Sequence, residues 1–174
     1  MGLTELLADF LQPFADLFPR IEPRPSSGEL LVKDTPLGVR ETRWPVLFIP
    51  ALCHVERYPR GEYPLDLGLQ RVLTADGHTV SVNGTCIIRV ADPVALRSRI
   101  PYDVWEETLS QLMRGVLTEI MTAHNLTHLV EHGSELIWND CASLAYSYGV
   151  DVESVTLEDL TTATPVSLLG GVTS

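Results

Sequence analysis

The alternation of side chains from residue 79 to residue 90 constrains the fold most. Even positions carry Val, Val, Gly, Cys, Ile and Val, whereas the odd positions are mostly polar. A period of two places the apolar set on one face of a β-strand. Asp76 and Gly77, just before this run, form a dipeptide typical of hairpin turns. The sequence therefore predicts a half-buried strand preceded by a tight turn.

Shorter β-type runs, separated by Pro and Gly, lie on both sides of a helical region. They predict strands at 29–33, 39–44, 46–49, 54–58, 69–74 and 150–157. Together with the helices described next, they predict the α+β class: a mixed, largely antiparallel sheet packed with helices.

Residues 92–149 carry the helical pattern. Asp92, followed by proline, is expected to cap a short helix to about Ser98. A longer helix is expected at 103–123, with Met113 and Leu117 beside its apolar stripe. That stripe consists of Trp105, Leu109, Leu112, Val116 and Ile120. A third helix is expected to begin at a Ser134 cap and to end at Gly149.

Residues 1–18 are predicted to form an amphipathic helix preceding the domain. Its candidate docking residues for a membrane or a partner are Leu3, Leu6, Leu7, Phe10, Leu11, Phe14, Leu17 and Phe18. This side of the helix can contact lipid, pack against other copies or fold back on the core. Anionic lipid would repel the acidic opposite face, which carries Glu5, Asp9 and Asp16, so these alternatives stay open.

The organisation predicted from these patterns has four parts. The amphipathic helix at 1–18 is followed by a proline-rich linker at 19–28, which should be stiff and extended. A single domain is expected at 29–160. The remaining segment, 161–174, is small, polar and glycine-bearing, and it is expected to be a tail.

Charge and apolar content exclude two classes of protein. The 12 basic and 23 acidic side chains give a net charge of −11, so we expect no nucleic-acid partner. No unbroken apolar stretch approaches the roughly 20 residues that a membrane-spanning helix needs.

The three cysteines indicate reduced thiols in a cytosolic protein. Cys53, Cys86 and Cys141 lie far apart and form no disulfide framework. Cys86 and Cys141 fall on inward faces of their elements, where a free cysteine behaves as a small hydrophobe. Cys53 and His54 are adjacent, and in a strand they would point to opposite faces, so a structural role is favoured over a nucleophile–base pair.

One sequence motif resembles a catalytic site. His128, Glu131 and His132 spell H-x-x-E-H, the inverted zinc-peptidase pattern, in which two histidines bind zinc and the glutamate acts as a base. A helix break at Asn125 should keep His124 off their face, and a third ligand is not evident nearby. We therefore interpret the histidines as exposed side chains and expect no cofactor or metal. A zinc-dependent hydrolase remains an alternative hypothesis.

Five strings occur in the order in which similar strings occur in the stomatin, prohibitin and flotillin family. They are RWPVLFIP (43–50), LTADGHTVSVNG (73–84), IRVADP (88–93), LTHLV (126–130) and YGVDVESVTLEDL (148–160). The chain thus resembles the domain that defines this family, the SPFH or band seven domain, over about three quarters of its length. The resemblance implies an α+β domain without catalytic residues that oligomerises laterally and organises membrane patches or encloses a compartment.

The flanking segments modify this expectation. Family members usually carry a hydrophobic hairpin or membrane span before the domain and a long coiled coil after it. This sequence offers the helix at 1–18 and a short tail, so we expect small oligomers or accessory membership of another assembly. The sequence thus predicts a non-enzymatic, self-associating scaffold, cytoplasmic and peripheral at a membrane. The alternative is a structural subunit that docks on a larger protein assembly without lipid.

Overall fold

The computed structural model describes residues 16–43 and 45–163, with side chains up to residue 157. Within these residues the strands are β1 (Arg20–Glu22), β2 (Glu29–Thr35), β3 (Gly38–Thr42), β4 (Val46–Phe48), β5 (His54–Pro59), β6 (Glu62–Asp66), β7 (Gln70–Leu73), β8 (Thr79–Val90) and β9 (Val150–Ala163). The helices are α1 (Pro93–Arg99), α2 (Trp105–Ala123) and α3 (Leu126–Ser147), with a 3₁₀ turn at Tyr102–Val104 before α2. This combination confirms the predicted α+β class.

The described strands form three sheets in which every pairing is antiparallel. β1 pairs with β4, and β2 lies between β3 and β5. The largest sheet is built around β8, which pairs with β6 and β7 along one edge and with β9 along the other.

The predicted alternation along β8 is confirmed. Each apolar even-numbered residue from Val80 to Val90 is buried, as is Gly84. The turn before β8 also matches the prediction, since Gly77 has φ 81° and its N–H donates to the Thr74 carbonyl at 3.0 Å. The buried face of β8 therefore supplies one wall of the core.

Two strands are not predicted by the sequence patterns. β6 contains Pro64, which has no N–H to donate and therefore argues against a β-strand at this position of the sequence. The proline is tolerated because β6 pairs only with β8 in the described sheet and so lies at an edge. β1 is three residues long and lies within the segment predicted as an extended linker.

Helices α2 and α3 pack against each other and cover the β8 sheet. α2 contacts β6 and β7, and α3 contacts β9. The buried stripe of α2 is shifted from the predicted one: Met113 and Leu117 are buried, whereas Leu112 and Val116 are half-buried at its side. Most buried residues of α2 are four positions apart, whereas the predicted stripe included a step of three. A constant step of four places the buried stripe on a different side of the helix.

The third helix begins eight residues before the predicted cap. α3 is continuous from Leu126 to Ser147, so Ser134 lies inside it and the predicted cap at Ser134 is wrong. The carboxylate of Asp76, in the β7–β8 turn, accepts the Leu126 N–H at 3.2 Å. Hydrogen bonds from the Thr74 hydroxyl and this N–H hold the pKa of Asp76 below its usual value. A cap supplied from 50 residues away cannot be found in the local sequence.

The predicted ends of two helices are confirmed. The Asp92 carboxylate accepts the N–H groups of Val94 and Ala95, both at 3.0 Å, at the start of α1. Gly149, with φ 77°, follows the end of α3, and its N–H donates to the Tyr146 carbonyl at 3.0 Å. Helix α1 is tied to the β2 sheet because Arg97 contacts both Asp34 and Glu56 at 2.8 Å.

Candidate functional site

Most of the predicted docking residues lie outside the described part of the chain. These are Leu3, Leu6, Leu7, Phe10, Leu11 and Phe14. Leu17 and Phe18 are described, and both are exposed. They lie in a turn that ends shortly before β1, so the part of the predicted 1–18 helix that is described is not helical.

The β1–β4 sheet exposes an apolar pair. Ile21 and Leu47 are direct partners across the two strands, and their exposed fractions are 71% and 63%. Partners in an antiparallel pair project on the same side, so this side of the small sheet is apolar and faces outward. Val46, on the opposite side, is buried. The small sheet therefore carries apolar side chains on both sides, and only one side is covered.

A hydrogen bond brings a third segment to this sheet. The Ala51 N–H donates to the Asp16 carbonyl at 2.9 Å, which places the turn after β4 beside the residues that precede β1. Leu52, in that turn, is exposed like its neighbours. We call this group of exposed residues the apolar patch; it consists of Leu17, Phe18, Ile21, Leu47 and Leu52.

Arg57 fastens the segment that carries the apolar patch to the domain. Its guanidinium contacts Glu22 at the end of β1 and Glu29 at the start of β2, each at 2.8 Å. Hydrogen bonds from Ser26 and the charge of Arg57 lower the pKa of Glu29, so this anchor stays ionised at neutral pH. The residues between β1 and β2, predicted as an extended linker, are thus held against β5 at both ends.

Helix α3 exposes a second set of apolar residues. Val130, Trp138 and Tyr146 are exposed by 67%, 40% and 78%. Each directly follows a buried residue of the helix, and eight residues separate one from the next, so the set winds around the helix by about 80° per step beside the buried residues. We call these three residues the α3 stripe.

The histidines of the H-x-x-E-H motif lie on the outside of α3. His128 and His132 are exposed, and their ring centroids are 5.1 Å apart. His124 lies beside them, 4.9 Å from His128, so the prediction that it would be kept apart is wrong. Only two residues connect α2 to α3, which leaves His124 next to the first turn of α3. Among the described residues, no group of three or more His, Cys, Asp or Glu side chains could hold a metal ion.

Two of the cysteines occupy the core, as predicted. Cys86 on β8 and Cys141 on α3 are buried, and burial raises the pKa of the first thiol to about 12 and of the second to about 11. Both are therefore protonated and unreactive at neutral pH. Cys53 is half-buried just before β5.

The family of the chain follows from a match to a family model. The model describes the SPFH domain / Band 7 family and matches residues 33–166, from β2 to beyond β9. The chain belongs to the SPFH domain / Band 7 family. SPFH proteins generally act as non-enzymatic scaffolds associated with membranes. No curated protein matches this SPFH chain.

The match does not extend to β1 or to the residues before it. It begins at Lys33, so Leu17, Phe18 and Ile21 of the apolar patch precede it, whereas Leu47 and Leu52 lie within it. Within the part of the chain that the structure describes, none of the helices combines the length and apolar character needed to cross a bilayer.

Sequence patterns identify part of this site. The helical period predicts Leu17 and Phe18 as docking residues, and both are exposed. The pairing of Ile21 with Leu47 joins residues far apart in the chain, and no local pattern signals it. The α3 stripe is not predicted, because the helical period does not distinguish apolar residues that are buried from apolar residues that are exposed beside them.

Proposed function

We propose that this SPFH protein is a non-enzymatic scaffold that docks peripherally on a membrane through the apolar patch and associates with other copies through the α3 stripe. The exposed Ile21–Leu47 pair is the observation that carries the proposal. An outward apolar side on a sheet with a buried opposite side is unusual unless something covers it. The predicted amphipathic helix at 1–18 leads directly into this surface and would enlarge it.

The energetics favour lipid contact by the patch. Transfer of one large aliphatic side chain out of water contributes about 1.5–3 kcal/mol when it is completely buried. Three or four such side chains at partial depth therefore supply a reversible membrane anchor, without any segment crossing the bilayer. The Arg57 contacts tie the β1 part of the patch to β2 and β5.

A double substitution in the patch tests membrane docking. Ile21→Asp/Leu47→Asp is expected to lower partitioning onto neutral phosphatidylcholine vesicles at least about tenfold, because two lipid-contacting side chains become charged. Flotation of the full chain with vesicles measures this. Leu37→Asp is the control, since Leu37 is 91% exposed in the turn between β2 and β3, outside the patch. Equal binding by the double variant and the wild type would refute docking through the patch.

Self-association through α3 has a preferred geometry. The helix carries Glu131, Glu135 and Asp140 but no lysine or arginine. Two α3 helices packed face to face would bring these like charges together, which is unfavourable. We infer a heterologous contact, in which the α3 stripe of one copy covers a different surface of the next.

The stripe is tested by the mass of the protein in solution. Val130→Asp/Tyr146→Asp is expected to shift the distribution towards monomer, because it places charges in a desolvated contact. Both side chains are exposed, so the loss of stability should stay within about 1–2 kcal/mol, part of it from the negative charge that Tyr146→Asp places in the last turn of α3. Sedimentation velocity at several concentrations gives the result, with Leu37→Asp again as the control. A wild-type mass distribution in the double variant would place the contact elsewhere.

A further inference from the structure

Three arginines meet at one end of the β2 sheet. β2 is antiparallel to β3 and β5, so its first residue lies beside the last residues of both neighbours, as the pairing of Glu29 with Pro59 shows. Arg43 directly follows β3 and Arg60 directly follows β5. Arg24 lies in the segment that leads into β2. The topology therefore brings together side chains that are widely separated in the sequence.

These side chains line a continuous surface groove. Arg24, Arg43 and Arg60 share one depression with Ser26 and Ser27, and a second depression continues it from Arg43 and Arg60 to Arg89. The Arg60 N–H donates to the Gly28 carbonyl at 2.9 Å, which fixes the rim against the start of β2. We call this surface, defined by Arg24, Arg43 and Arg60, the arginine groove.

The positive charge of the arginine groove is only partly neutralised within the described residues. Arg24 and Arg60 form no ion pair there, and Arg43 contacts Glu41 at 3.5 Å with its own side chain 81% exposed. The other acids of the two depressions are engaged as well, Glu29 by Arg57 and Ser26, and Asp151 by Arg89. A groove with two arginines outside any ion pair of the described residues, on a chain of net charge −11, indicates a binding surface for an anion.

We propose that the arginine groove binds the phosphate of an anionic phospholipid headgroup. Guanidinium groups donate two parallel hydrogen bonds to phosphate oxygens, which gives both affinity and orientation. We assign that phosphate to lipid because the groove and the apolar patch are close along the chain: Arg24 lies two residues after β1 and Arg43 three residues before β4. This inference rests on the proposed membrane docking. It also explains how a strongly acidic chain approaches an anionic membrane, since the nearest charges dominate within a Debye length of about 10 Å.

Flotation with two vesicle compositions tests the groove. One is phosphatidylcholine alone, and the other contains roughly one-fifth phosphatidic acid. We expect the wild type to bind the anionic vesicles about tenfold more strongly, since each basic side chain at such a surface adds several-fold. Arg43→Gln/Arg60→Gln should lose that increase and keep its binding to phosphatidylcholine. The matched control is Arg40→Gln/Arg71→Gln, which removes the same charge from exposed strand positions outside the groove.

Each remaining outcome decides a separate question. Equal losses of binding to the anionic vesicles in both double variants would mean that only the net charge of the protein matters, which would overturn the proposal that the groove binds phosphate. Binding of inorganic phosphate to the wild type but not to Arg43→Gln/Arg60→Gln, with no preference of the wild type for anionic vesicles, would assign the groove to free phosphate. A fall in solution mass of Arg43→Gln/Arg60→Gln without vesicles would assign it to an acidic surface of another copy. Binding of the wild type to vesicles of phosphatidylcholine alone tests the proposed function itself. If the wild type binds neither kind of vesicle, both proposals are overturned.

Discussion

Gly149→Ala is expected to lower the free energy of unfolding by about 3–5 kcal/mol. Gly149 has φ 77°, a conformation that costs an alanine energy, and an added Cβ would overlap the Asp92 carbonyl oxygen. That oxygen belongs to backbone and cannot rotate away. The Gly149 carbonyl also accepts the N–H groups of Ala91 and Asp92, at 3.0 and 2.8 Å, so relief of the clash would break these bonds.

Two other glycines separate the causes of this loss. Gly77→Ala retains a positive φ of 81° but meets open space, so it should cost about 1 kcal/mol from the conformation alone. Gly115→Ala lies within α2, also in open space, and should stabilise the protein by up to about 1 kcal/mol. Urea denaturation of the three variants measures the differences. A similar loss for Gly149→Ala and Gly77→Ala would contradict the close approach of Gly149 to Asp92.

Arg97→Met is expected to lower the free energy of unfolding by about 3 kcal/mol at neutral pH. Arg97 joins α1 to the β2 sheet through contacts of 2.8 Å with Asp34 and Glu56, and the Glu56 side chain is only 12% exposed. Methionine fills a similar volume but leaves both carboxylates without their partner. Urea denaturation again provides the measurement. The control is Arg89→Met: Arg89 bridges Asp151 and Glu153 while 50% exposed, so its loss should cost less than about 1 kcal/mol.

The loss caused by Arg97→Met should depend on pH. Burial raises the pKa of Glu56 in the folded protein, and Arg97 opposes that rise. Without Arg97 the pKa of Glu56 in the folded protein rises further. The free energy of unfolding of the variant therefore falls as the pH increases through this raised pKa. Below the pKa of Glu56 in the unfolded protein, about 4.3, the carboxyl is protonated in both states and the loss disappears. The difference between wild type and variant should therefore be larger near pH 7 than near pH 4. A difference independent of pH would mean that lost packing, and not the unpaired carboxylates, causes the destabilisation.

Local sequence patterns predicted the elements whose faces and ends are determined by residues within or next to the element. The period of two identified β8, since one face of that strand is buried along nearly its whole length. Asp92 and Gly149 marked helix ends because capping depends on the residue at the end itself. The start of α3 was predicted wrongly because its cap, Asp76, comes from a distant turn. β6 was missed because Pro64 is acceptable only where the topology makes the strand an edge.

The candidate site depends more strongly on topology than the fold elements do. Leu17 and Phe18 could be predicted from the helical period at the start of the sequence. Ile21 and Leu47 form a surface only because β1 pairs with β4. Arg43 and Arg60 likewise come together only because β3 and β5, on either side of β2, both end beside the start of β2. In each case the sequence contains the residues but not the pairing that makes them neighbours.

The most direct test of a self-associating, membrane-docking scaffold is the state of the wild-type chain with and without vesicles. Sedimentation velocity of the full chain, followed by flotation with phosphatidylcholine vesicles, measures both properties on one sample. We expect a concentration-dependent mass above the 19.2 kDa of the monomer and recovery of the protein with the floating lipid. A monomer at every concentration that stays below the vesicles would contradict this expectation.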